Sequence, residues 1–125
     1  DAARPLVSQS VIYAALQAAA ETGAAAPALP VKDTIKVASG GVVVATPERA
    51  KLFAVQTPQC FDRDLLSAAL VQPDGVWTDD CAALEQLGVR VRLTPGEERN
   101  FKVTTPMDLQ LARLLAAEEN EHNKE

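Results

Sequence analysis

The chain has 125 residues, enough for one domain around one core, and 47% of them are hydrophobic, which excludes a disordered composition. Aromatic residues are only 4% and alanine is abundant, so the core is expected to be small and aliphatic. The formal net charge of -5 argues against a general nucleic-acid binder, while a few local Lys and Arg suffice for a small anionic ligand.

In chain order, "DAARP" comes first: Asp1 and Arg4 stand three residues apart ahead of Pro5, with no strand leading into them. "SQSVIYAALQAAAETG" has a capping Ser, helix-forming alanines and a closing Gly23, which predicts a helix burying Val11, Ala14, Ala15 and Ala18. "AAAPALP" reads as a strand buried on both faces. "VKDTIKVASGG" reads as a loop or a hairpin arm, and "GVVVATP" as a β-branched strand stopped by Pro47. "FAVQTPQCF" is a further extended piece. It leads into the helix "DRDLLSAALVQ", whose start carries Asp62 or Asp64. "TDDCAALEQLG" opens on a Thr/Asp cap and closes on Gly88, so it reads as a short helix. "VRVRLTPG" alternates apolar and charged residues, as a half-exposed strand does. "NFKVTTPMDLQLARLLAAEEN" reads as a short strand and then a helix. Thr104 or Thr105 caps that helix, Pro106 sits in its first turn, and Leu109, Leu111, Ala112, Leu114 and Leu115 form its apolar face. From Glu118 the tail is expected to be solvated charge.

Alternating strands and helices predict an α/β domain with a mainly parallel sheet. Cys60 and Cys81 have no metal-binding spacing; one disulfide is possible in principle, and free thiols in a cytosolic protein are the preferred reading. His122 is the only histidine and lies in the polar tail, which nearly excludes a Ser-His-Asp triad or a His-rich zinc site. No apolar run approaches membrane-spanning length and no signal peptide is evident, so a cytoplasmic protein is expected.

Five clusters are richer in Thr, Asp, Arg and Lys than turns require: "DAARP", "PVKDTIK", "TPER", "QTPQ" with "TDD", and "NFKVTTP". Each has a bland reading taken alone. An Asp-x-x-Arg pair is usually a weak surface ion pair, "TPER" an ordinary turn, "TDD" a helix cap, and Lys102 an exposed strand residue. Together they suggest anion handling. Arg offers phosphate a planar fork, Lys a point charge, and Thr hydroxyls fill the remaining acceptor positions. A carboxylate among those cations suits a divalent metal or a sugar hydroxyl. Phosphoryl and nucleotidyl transfer rest on charge stabilisation and positioning rather than a covalent nucleophile, which fits the scarcity of histidine.

"DAARP", "PVKDTIK", "QTPQCF", "TDDCAALEQLG" and "NFKVTTPMDLQLA", in this order, resemble the C-terminal part of the 2-C-methyl-D-erythritol 4-phosphate cytidylyltransferases, from Asp1 to about Ala117. The resemblance implies a Rossmann-like nucleotidyltransferase fold of three α/β/α layers, with residues 1–125 a C-terminal part of a single domain and residues 31–51 a protruding dimerisation arm. It implies a homodimer that joins CTP to methylerythritol phosphate and releases pyrophosphate, with magnesium, in the non-mevalonate isoprenoid pathway. It gives no metal ligand in this chain. By the same resemblance Asp1 contacts the methylerythritol phosphate at its hydroxyls and Arg4 lies beside it. Thr34 and Arg49 reach across the dimer to the substrate phosphate, and Thr57 and Thr78 line the same pocket. Lys102 stabilises charge on the phosphates in the transition state, and Asp79 is a further candidate or the cap of its helix.

The chain departs from the family pattern in one large respect. The Gly-rich loop that grips CTP phosphates, and the histidine usual just before "DAARP", have no counterpart in it. The expectation is that about half of the enzyme is absent, so that the chain alone does not catalyse and persists by pairing with the other half as a separate polypeptide, by dimerising through its arm, or by adopting an altered arrangement. Two other readings stand beside this one: a ribitol 5-phosphate cytidylyltransferase, which shares several of these blocks, and a non-catalytic dimerisation module.

Overall fold

The structure is a computed structural model that describes residues 1–71 and 75–122. Its first regular element is the expected helix, α1 (Gln9–Thr22). The Ser8 side chain accepts from Val11 N at the start, and the Gly23 N–H donates to Ala19 O at the end. The buried face is Val11, Ala15, Ala18 and Ala19, so Ala19 takes the place expected of Ala14, which is half-buried.

β1 (Ala24–Pro30) follows directly and is the centre of the molecule. Ala24, Ala25 and Ala26 are fully buried, as is the side chain of Pro27. Successive strand residues face opposite sides. Ala24 joins a cluster with Ala69, Ala83 and Leu84, while Ala25 joins Ala18 and Ala19 of α1. Helices therefore cover both faces of β1, which is why its sequence is continuously apolar rather than alternating. Small side chains at the crossing let helix and strand approach closely.

The next segment is the hairpin of β2 (Val37–Ser39) and β3 (Val42–Ala45), every strand residue of which is exposed. Gly40 and Gly41 close it with φ of 56° and 80°, the positive values that a tight two-residue hairpin turn demands. A 3₁₀ turn at Arg49–Lys51 leads into β4 (Phe53–Val55), and β5 (Cys60–Phe61) follows after a cis Thr57–Pro58 peptide. Ala28 pairs with both Val55 and Pro95, and Ala25 with both Cys60 and Arg92. Each residue has one partner per edge. It follows that β6 (Arg92–Pro95) occupies one edge of β1, while β4 and β5 lie end to end along the other.

Two expectations are corrected by this topology. β1·β6 is parallel, but β1·β4 and β1·β5 are antiparallel, so the sheet is mixed rather than mainly parallel. "FAVQTPQCF" is an interrupted strand rather than one extended piece. The α2 helix (Arg63–Leu70) is capped by Asp62, whose side chain accepts from Asp64 N and Leu65 N; the expected last residue of this helix, Gln72, lies outside the described residues. α3 (Asp80–Gln86) is capped by Asp79.

Residues 100–104 carry no strand; Val103 N donates to Ala3 O at 2.7 Å. α4 (Pro106–His122) is held at its start by a reciprocal box. The Thr105 hydroxyl accepts from Asp108 N, and the Asp108 carboxylate accepts from the backbone of Thr104 and Thr105. Those bonds hold the Asp108 carboxyl below its ordinary range. The helix continues through the tail expected to start at Glu118, of which residues 123–125 lie outside the described ones. Of the five residues expected to form the apolar face of α4, only Ala112 is buried, because the described sheet does not extend beneath the rest of that face. Cys60 and Cys81 are both free thiols.

Candidate functional site

The "DAARP" segment is a tight turn, with Arg4 N donating to Asp1 O and Ala3 N to Asp1 Oδ1. This turns the Asp1 carboxylate toward the break between β4 and β5. There the Thr57 hydroxyl donates to Asp1 Oδ2 at 3.1 Å, and Arg4 Nε stands 3.7 Å from the same oxygen. Arg4 is not the surface ion-pair partner that its spacing alone suggests. Its side chain is only 13% exposed, and Nη1 donates to the Asn100 carbonyl at 2.6 Å. Burial lowers its pKa below the usual value, and an arginine keeps its charge through such a change. Arg4 Nε is buried with no hydrogen-bond partner among the described residues. Asp1, Arg4 and Thr57 thus meet around one cavity of about 190 Å³, walled otherwise by Val7, Ile12 and Pro58.

The Lys102 segment reaches the same corner. The Val103–Ala3 bond and the Arg4–Asn100 bond lay residues 100–103 against residues 1–4. Lys102 is exposed and makes no hydrogen bond or ion pair among the described residues. A lysine left without a local partner in a segment this firmly tied is suited to an incoming anion.

Thr78 and Asp79 line a separate depression of about 470 Å³, together with Lys51 from the base of the arm. Asp79 is committed on both oxygens: Oδ1 accepts from Ala82 N and Oδ2 from Gln59 Nε2, each at 2.9 Å. Gln59 Oε1 in turn accepts from Cys81 N at 3.3 Å. The cap role weighed for Asp79 is therefore observed. Burial, and then the charge of Asp79, push the Cys81 thiol up to about 12, so it is inert at neutral pH.

Thr34 and Arg49 lie on the exposed arm. Arg49 Nη1 donates to Lys32 O at 2.9 Å, Lys36 Nζ donates to Thr46 Oγ1 at 2.9 Å, and Lys32 pairs with Glu98. Within one chain no hydrogen bond or ion pair among the described residues joins Thr34 or Arg49 to the Asp1 cluster. The structure thus gathers Asp1, Arg4, Thr57 and the Lys102 segment, keeps Thr78 and Asp79 in a neighbouring depression linked to "QTPQ" by Gln59, and leaves the arm apart.

Three residues that the sequence reading did not single out hold this arrangement: Gln56, Gln59 and Asn100. The first and last are buried at 6% and 0% exposure. An amide side chain inside a polar motif carries no periodic signal. The available hint was the repeated Gln in "QTPQ", since both flank the break that separates β4 from β5.

The family model "IspD: 2-C-methyl-D-erythritol 4-phosphate cytidylyltransferase" matches residues 1–118. A curated protein of that name from Symbiobacterium thermophilum is 52% identical over 123 residues, covering 95% of this chain and 52% of its own length. A bifunctional enzyme IspD/IspF from a Bradyrhizobium is 48% identical over 93% of this chain. Among solved structures, the 2-C-methyl-D-erythritol 4-phosphate cytidylyltransferase of Thermus thermophilus superposes with a TM-score of 0.84 at 39% identity, covering 94% of this chain and 59% of that one. The chain spans about half the length of the curated relatives it matches.

Proposed function

Since the chain belongs to the 2-C-methyl-D-erythritol 4-phosphate cytidylyltransferase family, we propose that it carries the sugar-phosphate half of a cytidylyltransferase site. The reaction proposed is in-line attack of the 2-C-methyl-D-erythritol 4-phosphate on the α-phosphorus of CTP, with pyrophosphate leaving. The observation that carries the reading is the convergence of a carboxylate, a largely buried guanidinium and a hydroxyl on one small cavity, with residues 100–103 tied to residues 1–4 by two hydrogen bonds. A carboxylate that already accepts from Thr57 has further lone pairs for sugar hydroxyls. Arg4 fixes that carboxylate, and its charge raises the local potential for an anion. Lys102 meets the phosphates and stabilises the charge that develops on them in transfer.

Thr34 and Arg49 sit on an arm whose strands are wholly exposed. In this reading the arm of a second copy brings them to the phosphate, which completes the pocket in a homodimer, with Thr78 and Asp79 along its wall. Beyond the charge stabilisation given to Lys102 in the transfer itself, grip on the CTP phosphates is not assigned to any residue of this chain. Nor is magnesium: among the described residues no three of His, Cys, Asp and Glu gather as a ligand group, and no step is assigned to the ion.

The test is calorimetric titration of the dimer with 2-C-methyl-D-erythritol 4-phosphate and with ribitol 5-phosphate. Binding of the former, lost in both Arg49→Ala and Lys102→Ala, is expected. Preference for the ribitol compound would replace the substrate, and unchanged affinity in both variants would reduce the chain to a dimerisation module.

A further inference from the structure

One buried polar assembly lies behind the residues proposed to contact substrate and takes none of those contacts itself. Asn100 is 0% exposed, and its Nδ2 donates to Gln56 Oε1 at 3.1 Å and to Thr57 O at 2.9 Å. Both partners are acceptors, which fixes the orientation of the amide. Gln56 donates from Nε2 to Glu97 O at 2.8 Å and accepts at Oε1 from Glu97 N at 3.2 Å. The Asn100 carbonyl receives Arg4 Nη1 at 2.6 Å. Residues 1–4, 56–57 and 97–100, remote in sequence, are thus cross-braced at one point. Gly96 makes room for it, since a Cβ there would stand 2.7 Å from Gln56 Oε1.

The assembly is not one that stability alone selects. Asn100 Oδ1 is buried with no hydrogen-bond partner among the described residues, and an unpaired buried acceptor is destabilising. An apolar side chain of the same shape would avoid that cost, though it would leave the Thr57 carbonyl without this donor. What Asn100 supplies in exchange is the direction of two donated hydrogen bonds, one of them to the residue whose hydroxyl holds Asp1.

We propose that Asn100, braced by Gln56, is a positioning residue for the sugar-phosphate site: its side chain holds the Thr57 main chain and its carbonyl holds Arg4, so that the Asp1 carboxylate keeps one place relative to the Lys102 segment. The proposal rests on the reading that Asp1 meets the hydroxyls of the sugar while the arm and Lys102 meet its phosphate. The bonds of the Asn100 side chain reach the hydroxyl end, through Thr57, while its carbonyl, which meets Arg4, stays in place when the side chain is replaced. Its loss weakens recognition of the whole sugar phosphate and spares recognition of phosphate itself, a split that a merely structural role does not produce.

The experiment is NMR titration of the chain with 2-C-methyl-D-erythritol 4-phosphate and, separately, with inorganic phosphate. It compares the unaltered protein with Asn100→Leu, which keeps the shape and removes the donors, and with Gly96→Ala, which crowds Gln56. Circular dichroism establishes that each is folded at the temperature used. Both variants are expected to bind the sugar phosphate about tenfold more weakly and inorganic phosphate within about twofold of the unaltered protein. If Asn100→Leu does not fold, Gly96→Ala decides by the same split. Unchanged sugar-phosphate affinity overturns the positioning role and leaves the functional reading standing, and so does an equal loss for both ligands. An unaltered protein that binds neither ligand overturns the functional reading and this role with it.

Discussion

Replacing Asp79 separates its structural work from any contact with substrate. Its two oxygens do different things: one caps α3 at Ala82 N, the other holds the Gln59 amide. α3 has 7 residues yet buries Cys81, Ala83 and Leu84, so its first turn matters to the core. Loss of an Asp cap costs about 1 kcal/mol, and loss of a hydrogen bond to a charged acceptor about 1.5 kcal/mol. Asp79→Ala should therefore destabilise the protein by roughly 2–3 kcal/mol, or roughly 10 °C in Tm for a domain of this size. Asp79→Asn keeps the capping oxygen but turns an NH₂ toward the Gln59 donor, so about 1 kcal/mol is expected. Urea and thermal denaturation measure both. The Cys81 thiol provides an independent readout. Each variant removes one of the charges that raise its pKa, so the titration should move down while burial keeps it above the ordinary thiol range. Asp79→Ala with unaltered stability would refute the reasoning, as would equal destabilisation by the two variants. A fall in sugar-phosphate affinity without loss of stability would instead identify Asp79 as a substrate contact.

Leu84 is among the largest fully buried side chains, and Leu84→Ala should cost about 3 kcal/mol in urea denaturation; a loss below about 1 kcal/mol would mean that α3 does not pack as described. Gly41→Val places a branched residue at a φ of 80°, so amide exchange in the β2–β3 hairpin should quicken about tenfold or more while β1 stays protected. Faster exchange in β1 as well would show that the arm and core open together. The Asp108 carboxyl has a folded pKa lowered by its bonds to Thr104 and Thr105. Its contribution is present above the unfolded aspartate value and is lost as pH falls through the lower folded one. The α4 N-terminus should fray over that acid window, seen in the Thr104 and Thr105 amide resonances, and Asp108→Asn should abolish the pH dependence; a profile identical in both proteins would exclude the box.

Local elements were legible where a short-range rule governs them. Ser8 and Gly23 bound α1 because orphan backbone groups at helix ends need partners close by in sequence. Asp62 and the Gly-Gly turn are read by the same logic. β1 was recognisable as doubly buried because a strand covered on both faces must be apolar throughout. The five polar clusters were recognisable by residue type and order, and the family match over residues 1–118 agrees with that order.

Other features depend on how remote segments meet. The antiparallel pairing of β4 and β5 with β1 does not follow from alternating helix and strand patterns, because strand direction in a sheet is set by the path of the connections. Residues 100–104 read as a strand by composition, yet a strand requires a neighbour's ladder, and here the segment pairs with the turn at Ala3 through one bond. The side chains of Asn100 and Gln56 carry no local pattern at all, since their partners lie 41 to 44 positions away. The sequence by itself determined helix ends, turns, the buried central strand and the chemical character of the polar clusters, because those follow from residue type and near neighbours. Only the tertiary structure decided the mixed sheet and the amide brace that joins Arg4, Thr57 and the Lys102 segment, because a hydrogen bond between distant segments exists only once the chain has brought them within 3 Å of each other.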